Sequence, residues 1–230
     1  MLGINLDPMQ ELPKDFIALM REHYGDSVAG TLCDALLDTE PEVSVRLNRR
    51  KISAIWGTHP NPPCEGGGVQ GQPCGVGGTP VPWCPDAYYL AERPPFTFDP
   101  LLHAGAYYVQ EASSMYVAKL LKDYGSSYPC TALDLCAAPG GKSTLLAGLL
   151  PEGSLLLSNE PMPKRAHVLA ENMQKWTRMP VGAYPVESIV TNNYPADFGA
   201  FSDCFDLIVT DVPCSGEGMF RKDEQAVAEW

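Results

Sequence analysis

The spacing of apolar residues changes character about halfway along the chain. In "LPKDFIALMREHYGDSVAGTLCDALL", residues 12–37, the side chains of Phe16, Ile17, Leu19, Met20, Leu32 and Leu36 recur at helical spacing, which predicts two short helices broken near Gly25. "PEVSVRLN", 41–48, alternates as a strand does. The stretch 57–85, "GTHPNPPCEGGGVQGQPCGVGGTPVPWCP", is loop by composition and expected to be mobile, with too little apolar surface to offset the entropy of ordering it. From about residue 110, helix-like and strand-like runs alternate. "QEASSMYVAKLLKDY" reads as helix, "TALDLC" as strand, "GKSTLLAGLL" as helix and "GSLLLSNE" as strand. "PKRAHVLAENMQKW" follows as helix, with strands near "YPVESIVT" and in "FDLIVTD".

Each of these strands is an almost continuous apolar run, the mark of a parallel sheet covered on both faces. With right-handed crossovers the fold class is α/β, a doubly wound Rossmann-like sheet. A smaller α+β domain over residues 1–105 is expected to precede the sheet domain, 106–230.

Composition narrows the picture. A chain of 230 residues fits one large domain or two small ones, and 45% apolar residues suffice for a buried core. A net charge of −12, from 28 acidic and 16 basic residues, argues against general nucleic-acid affinity and leaves room only for local basic patches. The N-terminal "MLGINLDPMQELPKDF" lacks a basic flank followed by an apolar run, and no stretch reaches the roughly 20 apolar residues of a membrane span, so a cytoplasmic location is expected. None of the eight cysteines forms a C-x-x-C pair. Cys64, Cys74 and Cys84 recur every ten residues with only His59 nearby, a spacing better explained by chance in a loop than by a metal, so no metal is expected.

Three stretches carry chemistry. "LDLCAAPGGKST", 133–144, is a strand, a glycine turn and a helix start. A phosphate-binding P-loop would need glycine at Cys136, and a G-x-G-x-x-G fingerprint is absent, which leaves the rule that ligands sit at strand carboxyl ends against a helix N-terminus. Glu160, nineteen residues after Gly141 at the end of the next strand, is placed to accept from ribose hydroxyls, and turn and acid together point to an adenosine-containing cofactor. In "DVPCSGEG", Asp211 ends a strand and is expected to project into the same crevice, followed by Cys214, whose thiolate is a strong nucleophile once its pKa is lowered.

These stretches, with "NEPMPKRAHVLAEN", "DVPCSGEGMFRKD" and the upstream "FDPLLHAGAYYVQEASSM", resemble the Sun/Fmu-type RNA cytosine-5 methyltransferases, in particular their RsmF-like branch, in order from about Leu12 to Trp230. The resemblance implies S-adenosylmethionine (SAM) as cofactor, bound by Cys136, Ala137, Ala138, Pro139, Gly140, Gly141 and Lys142, with Glu160 on the ribose and Asp211 between cofactor and target base. Arg165 follows Glu160, with a solvated helix face and a site role equally open. The implied reaction is methyl transfer to carbon 5 of a cytosine in RNA, most naturally ribosomal RNA. Carbon 5 is a poor nucleophile. A thiolate adds to carbon 6, carbon 5 takes the methyl group, and loss of the carbon 5 proton expels the thiolate.

Read from the residues alone, Cys214 is the attacking thiol. The resemblance implies otherwise: the family's attacking cysteine follows a later strand in a Thr-Cys motif, and the Pro-Cys thiol assists release of the product. No Thr-Cys occurs in these 230 residues, so the chain by itself is expected to be inactive, incomplete at its C-terminus and marginal in stability, with an unpaired strand edge. The alternative expectation is a non-catalytic RNA- or SAM-binding protein. Where the family usually carries an aspartate against the adenine, this sequence has Tyr194, expected to weaken SAM binding, beside Asn193. RNA contact is expected from "RLNRRK", 46–51, and "FRKD", 220–223.

Overall fold

The computed structural model describes residues 12–38, 42–56, 78–125, 127–179, 182–212, 216–220 and 224–230. The chain divides into two compact units, one of Met1–Pro41 with Pro213–Trp230 and the other of Glu42–Val212. The expected boundary at 105/106 falls inside the second unit. By compactness, residues 213–230 group with the N-terminal helices.

In the first unit, helix α1 (Lys14–Asp38) is interrupted at Gly25, whose φ of 77° and ψ of 163° are not helical. That backbone is accessible to glycine at little cost, so the two predicted helices are both present with the break where glycine permits it. Phe16, Phe220 and Trp230 meet edge to face, with ring centroids 5.2, 5.6 and 6.2 Å apart, beside the buried Leu12. A short helix, Glu224–Glu229, carries Ala226 and Val227 against this cluster.

The second unit holds two sheets. The first is antiparallel, built from β1 (Val43–Leu47), β2 (Gly78–Pro80), β3 (Ala87–Leu90) and β4 (Tyr107–Val109) in the order β2-β3-β1-β4. Helices α2 (Arg49–Trp56) and α3 (Pro100–His103) interrupt it. The predicted alternation in β1 is real, yet both of its faces are buried. Val45 and Leu47 pack with Ile52, Ala106 and Tyr107, while Ser44 and Arg46 are enclosed on the other side.

The stretch expected as loop over 57–85 contributes structure at its end: residues 78–80 are a strand, and Val81 and Cys84 are buried. A Cβ on Gly78 would lie 2.1 Å from the Tyr89 carbonyl oxygen, so glycine here serves close pairing rather than looseness. Residues 57–77, with His59, Cys64 and Cys74, lie outside the described residues. The helix expected from Gln110 begins later, as a 3₁₀ turn at Ser113–Tyr116 and then α4 (Val117–Tyr124), because Gln110 bonds back to Ser44 of β1.

The second sheet is parallel throughout, as expected: β5 (Thr131–Asp134), β6 (Leu155–Asn159), β7 (Glu187–Thr191) and β8 (Leu207–Val209), in the order β7-β6-β5-β8. Helices α5 (Gly141–Leu149) and α6 (Pro163–Thr177) cover it through Leu146, Ala147, Leu169, Met173 and Trp176. Growth runs from β5 outward to β7, then reverses to β8 on the other flank, so β5 and β8 bracket a topological switch point. β8 is less buried than its apolar run suggested. It pairs with β5 alone among the described strands, and Ile208 is 55% exposed.

The basic run "RLNRRK" has a use that its sequence did not disclose. Arg46 and Lys51 are each 3% exposed. Lys51 Nζ donates to the carbonyls of Ala104 and Lys175, and Asn48 Nδ2 donates to the Trp176 carbonyl at 2.9 Å. Arg50 donates to the Leu150 carbonyl at 3.3 Å, and Arg49 pairs with Asp86. Lys175, Trp176 and Leu150 stand at the C-terminal ends of α6 and α5, where carbonyls lack helical donors and the dipole favours cations. The run is therefore mostly helix capping between two sheets, and not the free basic face expected for RNA. In "FRKD", Phe220 is buried and residues 221–223 lie outside the described ones.

Candidate functional site

At the switch point, β5 ends in Asp134 and passes into the turn Cys136–Gly140 before α5 begins. Backbone bonds set the turn: Leu135 N donates to Val209 O at 3.0 Å, Ala137 N to Asn159 O at 2.7 Å, and Gly140 N to Ala137 O at 2.8 Å. Gly140 has a φ of 113°, which glycine adopts at little cost and other residues only with strain, and it caps α5 without a side-chain bond. The N–H groups of Gly141, Lys142 and Ser143 lack acceptors within the helix, so the α5 N-terminus offers donors and a positive dipole end.

Two buried carboxyls face this turn with incomplete hydrogen bonding. Asp134 is fully buried; its Oδ2 accepts from Ser143 Oγ at 2.7 Å, and its Oδ1 has no partner. Burial pushes its pKa up to about 6, opposed by the Ser143 hydrogen bond and the Lys142 charge, and reinforced by Asp211. Glu160, 1% exposed, accepts from Met162 N through Oε1 at 3.0 Å, while Oε2 lacks a hydrogen bond. An acceptor buried without a donor costs on the order of 1–3 kcal/mol. A ligand bringing hydroxyl or ammonium donors would relieve both.

Arg165, for which sequence leaves a helix face and a site role equally open, reaches the turn. Its Nη2 donates to the Ala138 carbonyl at 2.9 Å and its Nη1 lies 3.7 Å from Glu160 Oε2. Asn159, wholly buried, joins three strand ends: Nδ2 donates to Leu135 O and Asn193 O, and Oδ1 accepts from Thr191 Oγ1 and Asn193 N. Behind the turn, Asn172 Nδ2 donates to the Pro139 carbonyl at 2.8 Å. Sequence reasoning missed Asp134, although it stands two residues before the quoted turn at the end of a buried strand.

On the far side of the switch point, Asp211 meets Lys142: Nζ donates to Oδ2 at 2.5 Å. The pair joins two predicted site residues, one on the first turn of α5 and one just past the end of β8. Asp211 has 62% side-chain exposure, and among the described strands β8 pairs with β5 alone. Cys136 is half-buried, and burial followed by the Glu160 and Asp134 charges raises its thiol pKa, which makes it a poor nucleophile. Cys214 lies outside the described residues. Tyr194 is 72% exposed, with its backbone N–H bonded to Asp197 Oδ2, so its ring fills no pocket. Among the described residues no three His, Cys, Asp or Glu side chains gather as metal ligands, and no helix is long and apolar enough to cross a membrane.

Comparison with known proteins bears on this arrangement. The structure is similar to that of a methyltransferase homolog protein from Pyrococcus horikoshii (TM-score 0.65, 23% identity, 91% of this chain and 61% of that one). It is also similar to NSun6 from Pyrococcus horikoshii, solved with SFG (TM-score 0.61, 14% identity, 90% of this chain and 72% of that one). At those identities the likeness establishes the fold. Ribosomal RNA small subunit methyltransferase F of Cronobacter sakazakii is 34% identical over 226 residues, which is 95% of this chain and 43% of the relative. The same enzyme of Photobacterium profundum is 31% identical over 230 residues, 98% of this chain and 44% of the relative. The chain thus spans less than half the length of these curated relatives. Residues 12–112 match the N-terminal domain of 16S rRNA methyltransferase RsmF and residues 128–229 match 16S rRNA methyltransferase RsmB/F, so the chain belongs to the RsmF-like branch of the Sun family.

Proposed function

We propose that the protein transfers a methyl group from SAM to carbon 5 of a cytosine in small-subunit ribosomal RNA. The observation that carries the reading is the pair of buried carboxylate oxygens without donors, Asp134 Oδ1 and Glu160 Oε2, beside a helix N-terminus that no side chain caps. SAM fits such a set, because it presents an ammonium, a carboxylate and two ribose hydroxyls. Bound SAM supplies an electrophilic methyl group on a sulfonium. The turn of Cys136, Ala137, Ala138, Pro139, Gly140, Gly141 and Lys142, with the first N–H groups of α5, holds the cofactor's anionic end. Glu160 accepts from the ribose hydroxyls, and Arg165 fixes Glu160 relative to the turn. The NSun6 structure solved with SFG is consistent with a small ligand in this fold.

Asp211 and Lys142 stand where cofactor and base would meet. An ammonium and a carboxylate in contact can hold a proton near the ring nitrogen of cytosine and so assist addition at carbon 6. Cys214 takes the role the family resemblance gives it, assisting release, with the attacking thiol supplied by a Thr-Cys motif. In balance, the sulfur–carbon 6 bond forms and later breaks, the methyl group replaces the carbon 5 proton, that proton leaves to solvent or base, and the methyl donor would depart as a neutral thioether that keeps the electron pair of the broken sulfur–methyl bond.

The intact protein, incubated with small-subunit ribosomal RNA and methyl-labelled SAM, is expected to place label in 5-methylcytidine after digestion to nucleosides. Label in any other nucleoside would overturn the carbon 5 reading. SAM bound in calorimetry without transfer to any RNA would turn the reading to a binding protein.

A further inference from the structure

We infer that Arg46, on the antiparallel sheet, is a positioning residue for the cofactor: it clamps the first turn of α5, whose free N–H groups face the SAM site. The inference rests on the reading of that turn as a SAM site. Arg46 Nη2 donates to Thr144 Oγ1 at 2.7 Å and to the Gly141 carbonyl at 3.3 Å, and Nη1 donates to the Thr144 carbonyl at 3.3 Å. Nε donates to Gln110 Oε1 at 3.2 Å, and the guanidinium lies over the Trp176 ring, 4.4 Å from its centroid. The group is 3% exposed, and burial lowers its pKa to about 10, which still leaves it charged at neutral pH.

Keeping a guanidinium in such a place is costly, and a well-packed apolar side chain there would often be neutral or better for stability. What arginine adds is direction. Its planar fork holds several acceptors at fixed angles, which neither methionine nor the single ammonium of lysine reproduces. The acceptors it holds are the carbonyls of Gly141 and Thr144 and the Thr144 hydroxyl, all within one turn, and Thr144 Oγ1 in turn donates to the Gly141 carbonyl at 3.1 Å. A second donor on these carbonyls fixes the rotation of α5 about its axis, and with it the aim of the N–H groups of Gly141, Lys142 and Ser143.

Gln110 completes the clamp. Ser44 Oγ donates to its carbonyl at 2.6 Å, and Arg46 fixes its amide orientation by occupying Oε1. A Cβ on Gly141 would lie 3.3 Å from Gln110 Nε2, so the second glycine of "PGG" is also the one that lets this sheet approach the helix. A change of 1 Å in the aim of positioning groups is enough to weaken a site by orders of magnitude.

The test is calorimetry of SAM binding, with steady-state kinetics, on the intact protein carrying Arg46→Lys. A tenfold weaker SAM dissociation constant is expected, with KM for SAM raised by a similar factor and kcat and RNA affinity within twofold of the parent. A folded Arg46→Lys protein whose SAM affinity is within twofold of the parent overturns the inference, as does a parallel loss of SAM and RNA affinity, the signature of general loosening. Should Arg46→Lys fail to fold, Thr144→Val removes the shortest of the four contacts and is expected to weaken SAM about threefold; unchanged affinity there overturns the inference equally. Failure of the parent protein to bind SAM would instead remove the functional reading beneath it.

Discussion

Between the two sheets, Lys51 and Asn48 donate to the last carbonyls of α6, and Arg46 donates to the first turn of α5, so both buried cations have acceptors. At the carboxyl ends of β5 and β6, Asp134 and Glu160 are buried as deeply, and each keeps one oxygen without a donor. A neutral group on the inter-sheet side, Gln110 Nε2, lacks a hydrogen bond as well, but a buried carboxylate oxygen is costlier to leave without one than an amide. The difference separates polar burial that holds the fold from polar burial that awaits a ligand. Broken away from the cofactor turn, as at Lys51, the first kind should weaken stability and spare affinity, and the second should do the reverse; Arg46, which reaches the first turn of α5, couples the two.

The largest effect is expected from breaking the inter-sheet layer at the end remote from the cofactor turn. Lys51→Met leaves the Ala104 and Lys175 carbonyls without their charged donor. With hydrogen bonds to charged groups worth about 1.5–3 kcal/mol each, and relief from burying the ammonium offsetting part of that, the loss should come to about 3 kcal/mol. Denaturant unfolding would measure it, and calorimetry on the folded protein should find SAM affinity within twofold of the parent. A large loss of SAM affinity without loss of stability would erase the distinction drawn above.

A smaller effect, of the opposite kind, is expected at Glu160. Glu160→Gln keeps the shape and the bond from Met162 N, but presents an amide where a buried carboxylate oxygen stands. SAM should bind about a hundredfold more weakly, roughly 2.7 kcal/mol, while the unfolding midpoint stays the same or rises. Unchanged SAM affinity would take Glu160 out of the site and leave its bare oxygen unexplained.

How far the sequence disclosed these two layers follows from what each is made of. The parallel sheet, its crossover helices and the strand-to-helix turn are legible because continuous apolar strands and a Pro-Gly-Gly turn are local signals. The distance of Glu160 from that turn is legible too, and the structure buries Glu160 at the end of β6. The inter-sheet layer is not legible, since nothing within "RLNRRK" tells a solvated arginine from one whose acceptors lie about a hundred residues away in Thr144 and Leu150. Gln110 was misread for the same reason: helical spacing placed it on a helix, and pairing with Ser44 held it on the sheet. Gly78, one glycine in a long run, reads as loop because the partner it pairs with, Tyr89, is invisible to composition. The break at Gly25 was foreseen, because a left-handed φ depends on the residue itself.

Asp134 sharpens the comparison with the smallest effect, because stability and affinity should there move in opposite directions. Its carboxyl pKa is raised from 3.8 to about 6, chiefly by burial, so the folded protein holds a proton more tightly than the unfolded chain. Stability is therefore highest, with respect to this group, below the unfolded value. It falls as pH rises between the two values and stays at its lower level above them. A shift of about 2 units sets a ceiling of about 3 kcal/mol, of which about 2 is a reasonable expectation for a group coupled to Lys142 and Asp211. Asp134→Asn keeps an acceptor for Ser143 Oγ and removes the charge, so at pH 8 the variant should be about 2 kcal/mol more stable than the parent. That gain should shrink as pH falls through 6 and vanish near 4. If Oδ1 accepts from a cofactor donor, the same variant should bind SAM severalfold more weakly at pH 8 and about equally at pH 5, where the parent carboxyl is itself largely protonated. A gain in stability without that pH-dependent loss of affinity would make Asp134 a strained core residue and leave Glu160 as the site's buried carboxylate. The paired outcome would mean that the crevice keeps an unfavourable charge for the sake of what binds beside it.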